Sequence, residues 1–127
     1  MESRRTAKLL ESLAHLKEGL RAYERRSKGE ALPRLAMTKA FEVAVEYGWR
    51  ELKRRAEDEG LDVPSPKAAV RQAARLGFIT EPDQWMELID ARNASVHDYF
   101  GLGDEDLLRL AKLGLKLIGK IVPSAAP

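Results

Sequence analysis

A chain of 127 residues, 44% apolar and 33% charged, has the size and composition of one globular domain with a core of its own. Its net charge of +2 neither demands nor excludes a polyanionic partner, because the clustering of charge decides that rather than the sum. The lack of cysteine excludes disulfides and thiolate metal sites and suits a cytoplasmic address; no apolar run approaches the roughly 20 residues of a membrane span, and no signal peptide is expected before the first amphipathic pattern.

The first predicted helix covers residues 4–27. Leu9, Leu13, Leu16, Leu20 and Tyr23 recur at steps of four and three, which stacks them on one stripe. His15, between Leu13 and Leu16, reads as a partly buried face residue, and Gly29 ends the segment as a left-handed cap. A second helix is expected over 33–59, with Pro33 in its first turn and Met37, Phe41, Ala44, Val45, Gly48, Trp49, Leu52 and Ala56 as its core stripe. Glycine inside a helix costs about 1 kcal/mol relative to alanine, so Gly48 predicts a close helix–helix contact. Gly60 and then Pro64-Ser65-Pro66 stop this helix.

Ser65 is placed to cap a short third helix, 66–76, that shows a small-residue face of Ala69, Val70 and Ala73 and ends at Gly77. Phe78 and Ile79 are expected to tuck into the core beyond that cap. A fourth helix opens around Thr80-Glu81-Pro82 and carries Trp85, Leu88, Ile89 and Val96 inward. Asp104 is read as the cap of a fifth helix whose stripe includes Leu107, Leu110, Ala111 and Ile118. With no period-two run and no hairpin signal, the expected fold is all-α, an up-and-down bundle of four long helices and one short one. It occupies 1–122 as a single domain, with 123–127 as a flexible tail.

One segment concentrates chemistry: Arg92-Asn93-Ala94-Ser95-Val96-His97-Asp98-Tyr99 holds the only asparagine and one of the two histidines. A permanently charged phosphate binder near an imidazole suits acid–base chemistry on a phosphodiester. Arg92 and His97 are five residues apart, about 140° around an ideal helix, so they do not stack. Either a loosened last turn before Gly101 or a two-fold cleft shared between subunits would bring them together. The plainer alternative makes His97 a helix-dipole partner and Arg92 a surface ion pair with Asp90 or Asp98.

Glu42 and Glu46 read first as a solvated face paired with Lys39 and Arg50. The alternative sets them at the bundle's edge facing Arg92 or another cation. Lys53, Arg54, Arg71 and Arg75 are candidate phosphate contacts, diluted by neighbouring Glu51, Glu57, Asp58 and Glu59. No metal-ligand spacing, glycine-rich phosphate loop or nucleophilic triad is present, so no cofactor is expected.

The Arg92-x4-His97 pattern resembles the signature of HEPN domains, which are all-helical bundles. With Tyr99 two residues on, it is similar to the HepT toxin branch, once labelled nucleotidyltransferase substrate-binding proteins. Lys39-Ala40-Phe41-Glu42 with Glu46, Trp49-Arg50-Glu51-Leu52-Lys53, Ser65-Pro66, Gly77-Phe78-Ile79, Trp85 and Asp90-x-Arg92-Asn93 extend the resemblance over roughly residues 8 to 115. The loop Phe100-Gly101-Leu102-Gly103 is more apolar than the family pattern.

The resemblance implies a homodimeric or higher even-numbered, metal-independent ribonuclease toxin paired with a minimal nucleotidyltransferase antitoxin. His97 would then be the acid–base group, Arg92 the phosphate binder, and Asn93 an orienting residue. Tyr99 would be the hydroxyl that the partner adenylylates, which blocks RNA by charge and bulk. The alternative within the same resemblance is a non-catalytic substrate-binding or regulatory subunit of a nucleotidyltransferase.

Overall fold

The structure, a computed structural model, describes residues 4–98 and 102–122, with the backbone alone for Arg5. Tyr99, the Phe100-Gly101 part of the apolar loop and the 123–127 tail lie outside the described residues. Five helices follow in order: α1 (Arg4–Glu24), α2 (Leu32–Asp58), α3 (Pro66–Arg75), α4 (Pro82–His97) and α5 (Asp104–Ile121). Among the described residues there is no strand, and the fold is an all-α bundle. No helix among these residues is long and apolar enough to cross a membrane.

α2 is the central element and packs against each of the other four helices. Its stripe of Met37, Phe41, Ala44, Val45, Leu52 and Ala56 is completely buried, facing Leu9, Leu16 and Tyr23 of α1 and Trp85 and Leu88 of α4 across one continuous core. Two glycines let backbones come close. A methyl group built on Gly48 would sit 3.1 Å from Ile118 and 3.4 Å from the Trp85 ring, which is the tight contact its mid-helix position predicts. Gly19 does the same for α1, where the methyl would lie 3.1 Å from the Cα of Met37.

The helix ends follow their local chemistry. Ser65 accepts a hydrogen bond from the Ala68 N–H and caps α3. α3 closes with Gly77 at φ 81°, the Gly77 N–H on the Ala74 carbonyl and the Phe78 N–H on the Ala73 carbonyl, a Schellman arrangement. That closure turns Phe78 outward, where it is 36% exposed, and only Ile79 reaches the core. α1 stops at Glu24, short of the expected 27, and the Arg26 guanidinium then folds back over the Tyr23 ring at 3.6 Å. Asp104 is not the cap of α5. Gly103 holds that position, and Asp104 enters the first turn, where its carboxylate favours the helix dipole and meets Arg34 at 3.1 Å. Burial, and then the Asp104 charge, push the Tyr23 phenol above its ordinary value.

Glu51 is a fully buried carboxylate on α2 that is bound by Arg54 at 2.5 Å and Arg55 at 2.8 Å. Arg55 also donates to the Ile121 carbonyl, which ties the last turn of α5 to α2. Burial pushes the Glu51 carboxyl up, and the bonds from Arg54 and Arg55 more than reverse this, leaving it below its usual range.

Two predictions follow from the packing and from this ion group. Gly19→Ala is expected to lower stability by about 1–3 kcal/mol because its methyl meets backbone. Gly119→Ala in α5, which has nothing within 4 Å, should raise it by about 0.5–1 kcal/mol, and thermal melts distinguish the two. Glu51 has a lowered folded pKa, so its contribution is complete above the ordinary value of 4.5 and is lost as pH falls below it through the folded value. Urea titrations should show Glu51→Gln less stable than the parent at pH 7, with the gap narrowing as the pH drops below that value.

Candidate functional site

The inner line of α4 changes character along its length. Trp85, Leu88, Ile89 and Ala91 are buried, and beyond them the half-buried Arg92 and the buried Ser95 meet α2. α2 changes in register with it and offers Glu42 and Glu46. Ser95 Oγ donates to Glu42 Oε2 at 2.6 Å with both residues buried, so a neutral hydroxyl satisfies a buried carboxylate. One helical step away, Arg92 Nη2 lies 3.0 Å from Glu46 Oε1, and Arg92 Nη1 donates to Asn93 Oδ1 at 3.1 Å. The Nε of Arg92 is buried and has no hydrogen-bond partner among the described residues. Glu46 is shared: its other oxygen binds Arg50 at 2.7 Å, and Oε1 also accepts from the Trp49 indole at 3.2 Å.

These residues form one wall of a cleft of about 400 Å³ between α2 and α4, which Arg92 lines with Lys39, Tyr47, Arg50 and Val96. His97 is not among its lining residues. α4 stays helical through His97, and Asp98 leaves it in an extended conformation, its N–H still on the Ala94 carbonyl. The last turn is therefore not loosened. Arg92 and His97 keep the roughly 140° separation of a regular helix, whereas Val96, about 40° from Arg92, shares its cleft. Val96 is 47% exposed and does not belong to the core, because Ser95 takes the inward position. His97 is exposed at the helix end, in line with Asp90, which pairs with Lys67 of α3 at 2.8 Å.

The remaining candidates are placed as follows. Asn93 is exposed and touches Arg92. Lys53 is bound to Glu57 and Arg54 to Glu51 and Asp58, so their charge is compensated within α2. Arg71 and Arg75 are exposed on α3. His15 is exposed rather than partly buried and lines a larger cleft of about 760 Å³ between α1 and α2. Among the described residues no three His, Asp or Glu side chains form a group able to hold a metal ion.

The solvated-face reading of Glu42 fails: the residue is 5% exposed and bound to Ser95. Glu46 combines both readings, since it pairs with Arg50 on its own helix and with Arg92 across the seam. Ser95 escaped the sequence reading altogether. The available signal was a charged or polar residue continuing the apolar stripe of each helix, acidic on α2 and basic on α4.

The family model described as "nucleotidyltransferase substrate binding protein like" matches residues 4–105. No curated protein matches the chain.

The two seam pairs differ in what their loss exposes. Ser95→Ala leaves the Glu42 carboxylate buried without its donor and is expected to cost about 1–3 kcal/mol. Arg92→Ala leaves Glu46 still paired with Arg50 and should cost under about 1 kcal/mol. Urea unfolding of the two variants beside the parent checks this order.

Proposed function

We propose, from the premise that the chain belongs to the nucleotidyltransferase substrate binding protein-like family, that it is a metal-independent RNA-cleaving toxin controlled by a nucleotidyltransferase partner. The family name supports the association with a nucleotidyltransferase. The observation that carries the nuclease reading is Arg92, presented at the rim of a cleft with Asn93 and Glu46 around it, one turn before an exposed His97 at the end of the same helix.

In this reading Arg92 binds the scissile phosphate and offsets the charge that develops on its oxygens. An imidazole from His97 takes the proton of the ribose 2′-hydroxyl as that oxygen bonds to phosphorus, or gives a proton to the 5′-oxygen as its bond to phosphorus breaks. The products are a 2′,3′-cyclic phosphate and a 5′-hydroxyl. Arg92 and His97 do not face one cleft within a chain, so the reaction uses a homodimer in which two α4 ends line a shared groove, each subunit's imidazole meeting the other's guanidinium. Glu46 holds Arg92 in place until a phosphate competes for it. Tyr99, two residues beyond His97, is the proposed site of adenylylation, which adds negative charge and bulk beside the phosphate site.

A second reading is favoured by the same separation of Arg92 from His97. If one chain acts alone, the cleft binds an anionic substrate without cutting it, and the protein presents that substrate to the nucleotidyltransferase.

The readings separate in one experiment. Unmodified protein incubated with RNA in chelator should release fragments ending in cyclic phosphate, and His97→Ala and Arg92→Ala should reduce the rate about 100-fold or more. Equal cleavage by parent and His97→Ala, or none by the parent on varied RNAs, overturns the nuclease reading. Intact mass of protein co-expressed with a minimal nucleotidyltransferase of the kind proposed as its partner should show adenylyl additions that disappear in Tyr99→Phe.

A further inference from the structure

A cleft of about 760 Å³ lies between α1 and α2, and Arg92 is not among its lining residues. Lys39 and Val43 line both this cleft and the Arg92 cleft, so the two border one another at α2. Its floor is made of small residues, Gly19 and Ala22 from α1 with Ala36 and Ala40 from α2. Its rim carries Arg21 in the last turn of α1, Arg25 just past the end of that helix with its N–H on the Arg21 carbonyl, and Lys39 on α2. Glu18 is the single carboxylate lining it. None of these three cations has an ion-pair partner among the described residues, in contrast to Lys53 and Arg54, which are bound to carboxylates of their own helix.

We infer that this cleft is a track for the sugar–phosphate backbone of a single RNA strand leading away from the Arg92 site. Lys39 meets the first flanking phosphate, and Arg21 and Arg25 meet those further along. The charge balance favours a polyanion, because three cations with no carboxylate partner line one continuous groove. The floor favours a nucleic-acid strand over a protein helix. Glycine and alanine let a ribose lie close but provide no deep socket for the large side chains that anchor protein interfaces. The exposed ring of His15 beside the floor gives a base a surface to stack on. The track rests on the RNA reading of the Arg92 site, and its test is a binding measurement that needs no cleavage.

The probe is a fluorescent single-stranded oligonucleotide methylated at every 2′-oxygen, which cannot be cut by attack of that oxygen. Its anisotropy is followed with the full-length protein at several salt concentrations. Replacing Arg21, Arg25 and Lys39 together by Ala should weaken binding about tenfold or more at about 0.1 M salt and lower the salt slope by about 2. Replacing Arg109, Lys112 and Lys116 of α5, which removes the same charge from another face, should leave affinity within about twofold of the parent. Circular dichroism confirms that both variants are folded.

Undiminished binding by the Arg21/Arg25/Lys39 variant, or no binding by the parent, overturns the track. So does loss of binding on replacing Lys53, Arg71 and Arg75 instead, which would place the strand across the other end of α2 and α3. Loss of nucleotidyltransferase association with RNA binding intact also overturns it, by making the cleft a protein surface. A parent that binds the probe but never cleaves natural RNA supports the track while the nuclease reading fails.

Discussion

The carboxylate of Glu46 bridges two guanidiniums, Arg50 on its own helix and Arg92 on α4, at the edge where α2 is left uncovered. This pairing sets the position of the motif's arginine. Arg92 continues the inward line of α4, where an apolar side chain would have sealed the two helices together. The acidic partner makes a charged residue tolerable there, and it keeps the guanidinium half-buried and oriented toward the cleft. A charge held by one carboxylate that is itself shared can exchange that partner for a phosphate, because Glu46 keeps Arg50 when Arg92 lets go. The neighbouring Glu42–Ser95 pair differs in kind. It is buried, it joins a carboxylate to a neutral hydroxyl, and it fixes the α2–α4 spacing against which the Arg92 contact operates.

Three of the carboxylates on α2 thus lie in unlike environments. Glu51, fully buried and bound by two arginines, anchors the C-terminal end of α5. Glu42 is buried and accepts from the Ser95 hydroxyl, and Glu46 lies at the rim. The gradation follows from how α2 is covered. Its middle and C-terminal half are enclosed by the core that Trp85, Ile118 and the α1 leucines form, whereas the side carrying residues 39, 43 and 46 opens into clefts. The same central helix therefore supplies the core, the seam and the wall of the candidate site.

Much of this was legible in the sequence. The apolar steps of α1 and α2, the cap at Ser65, the stop at Gly77 and the close contact at Gly48 are local or periodic signals, and each has its counterpart in the structure. The failures share a cause. Glu42 and Val96 are misplaced when read by residue type, polar outward and apolar inward, at the place where the stripe itself becomes polar. Helix phase alone would not have corrected this, since on an ideal helix Val96 lies about 20° and Ser95 about 80° from Trp85, yet it is Ser95 that is buried, against Glu42 of α2. Phe78 was drawn inward by its hydrophobicity although the Schellman closure before it turns the chain outward. Asp104 has the residue type of a cap, but Gly103 precedes it and Arg34 takes its carboxylate. Long-range pairings of this kind leave no trace in local spacing.

The regularity of α4 bears directly on mechanism. If its last turn had unwound, Arg92 and His97 could have met within one chain and the cleft would have been a complete site. Instead α4 remains helical through His97, and the cleft that Arg92 lines is bordered by Val96. A guanidinium that binds phosphate and an imidazole that moves protons must reach the same group of atoms within about 3 Å. A single rigid helix that turns them about 140° apart cannot supply both to one phosphate from one chain. The proposed cleavage would therefore need a second copy of α4 with its His97 end turned toward the first chain's Arg92, and the reading in which one chain acts alone is one of binding without cutting. On this geometry the proposed catalytic competence would be a property of the assembly rather than of one chain.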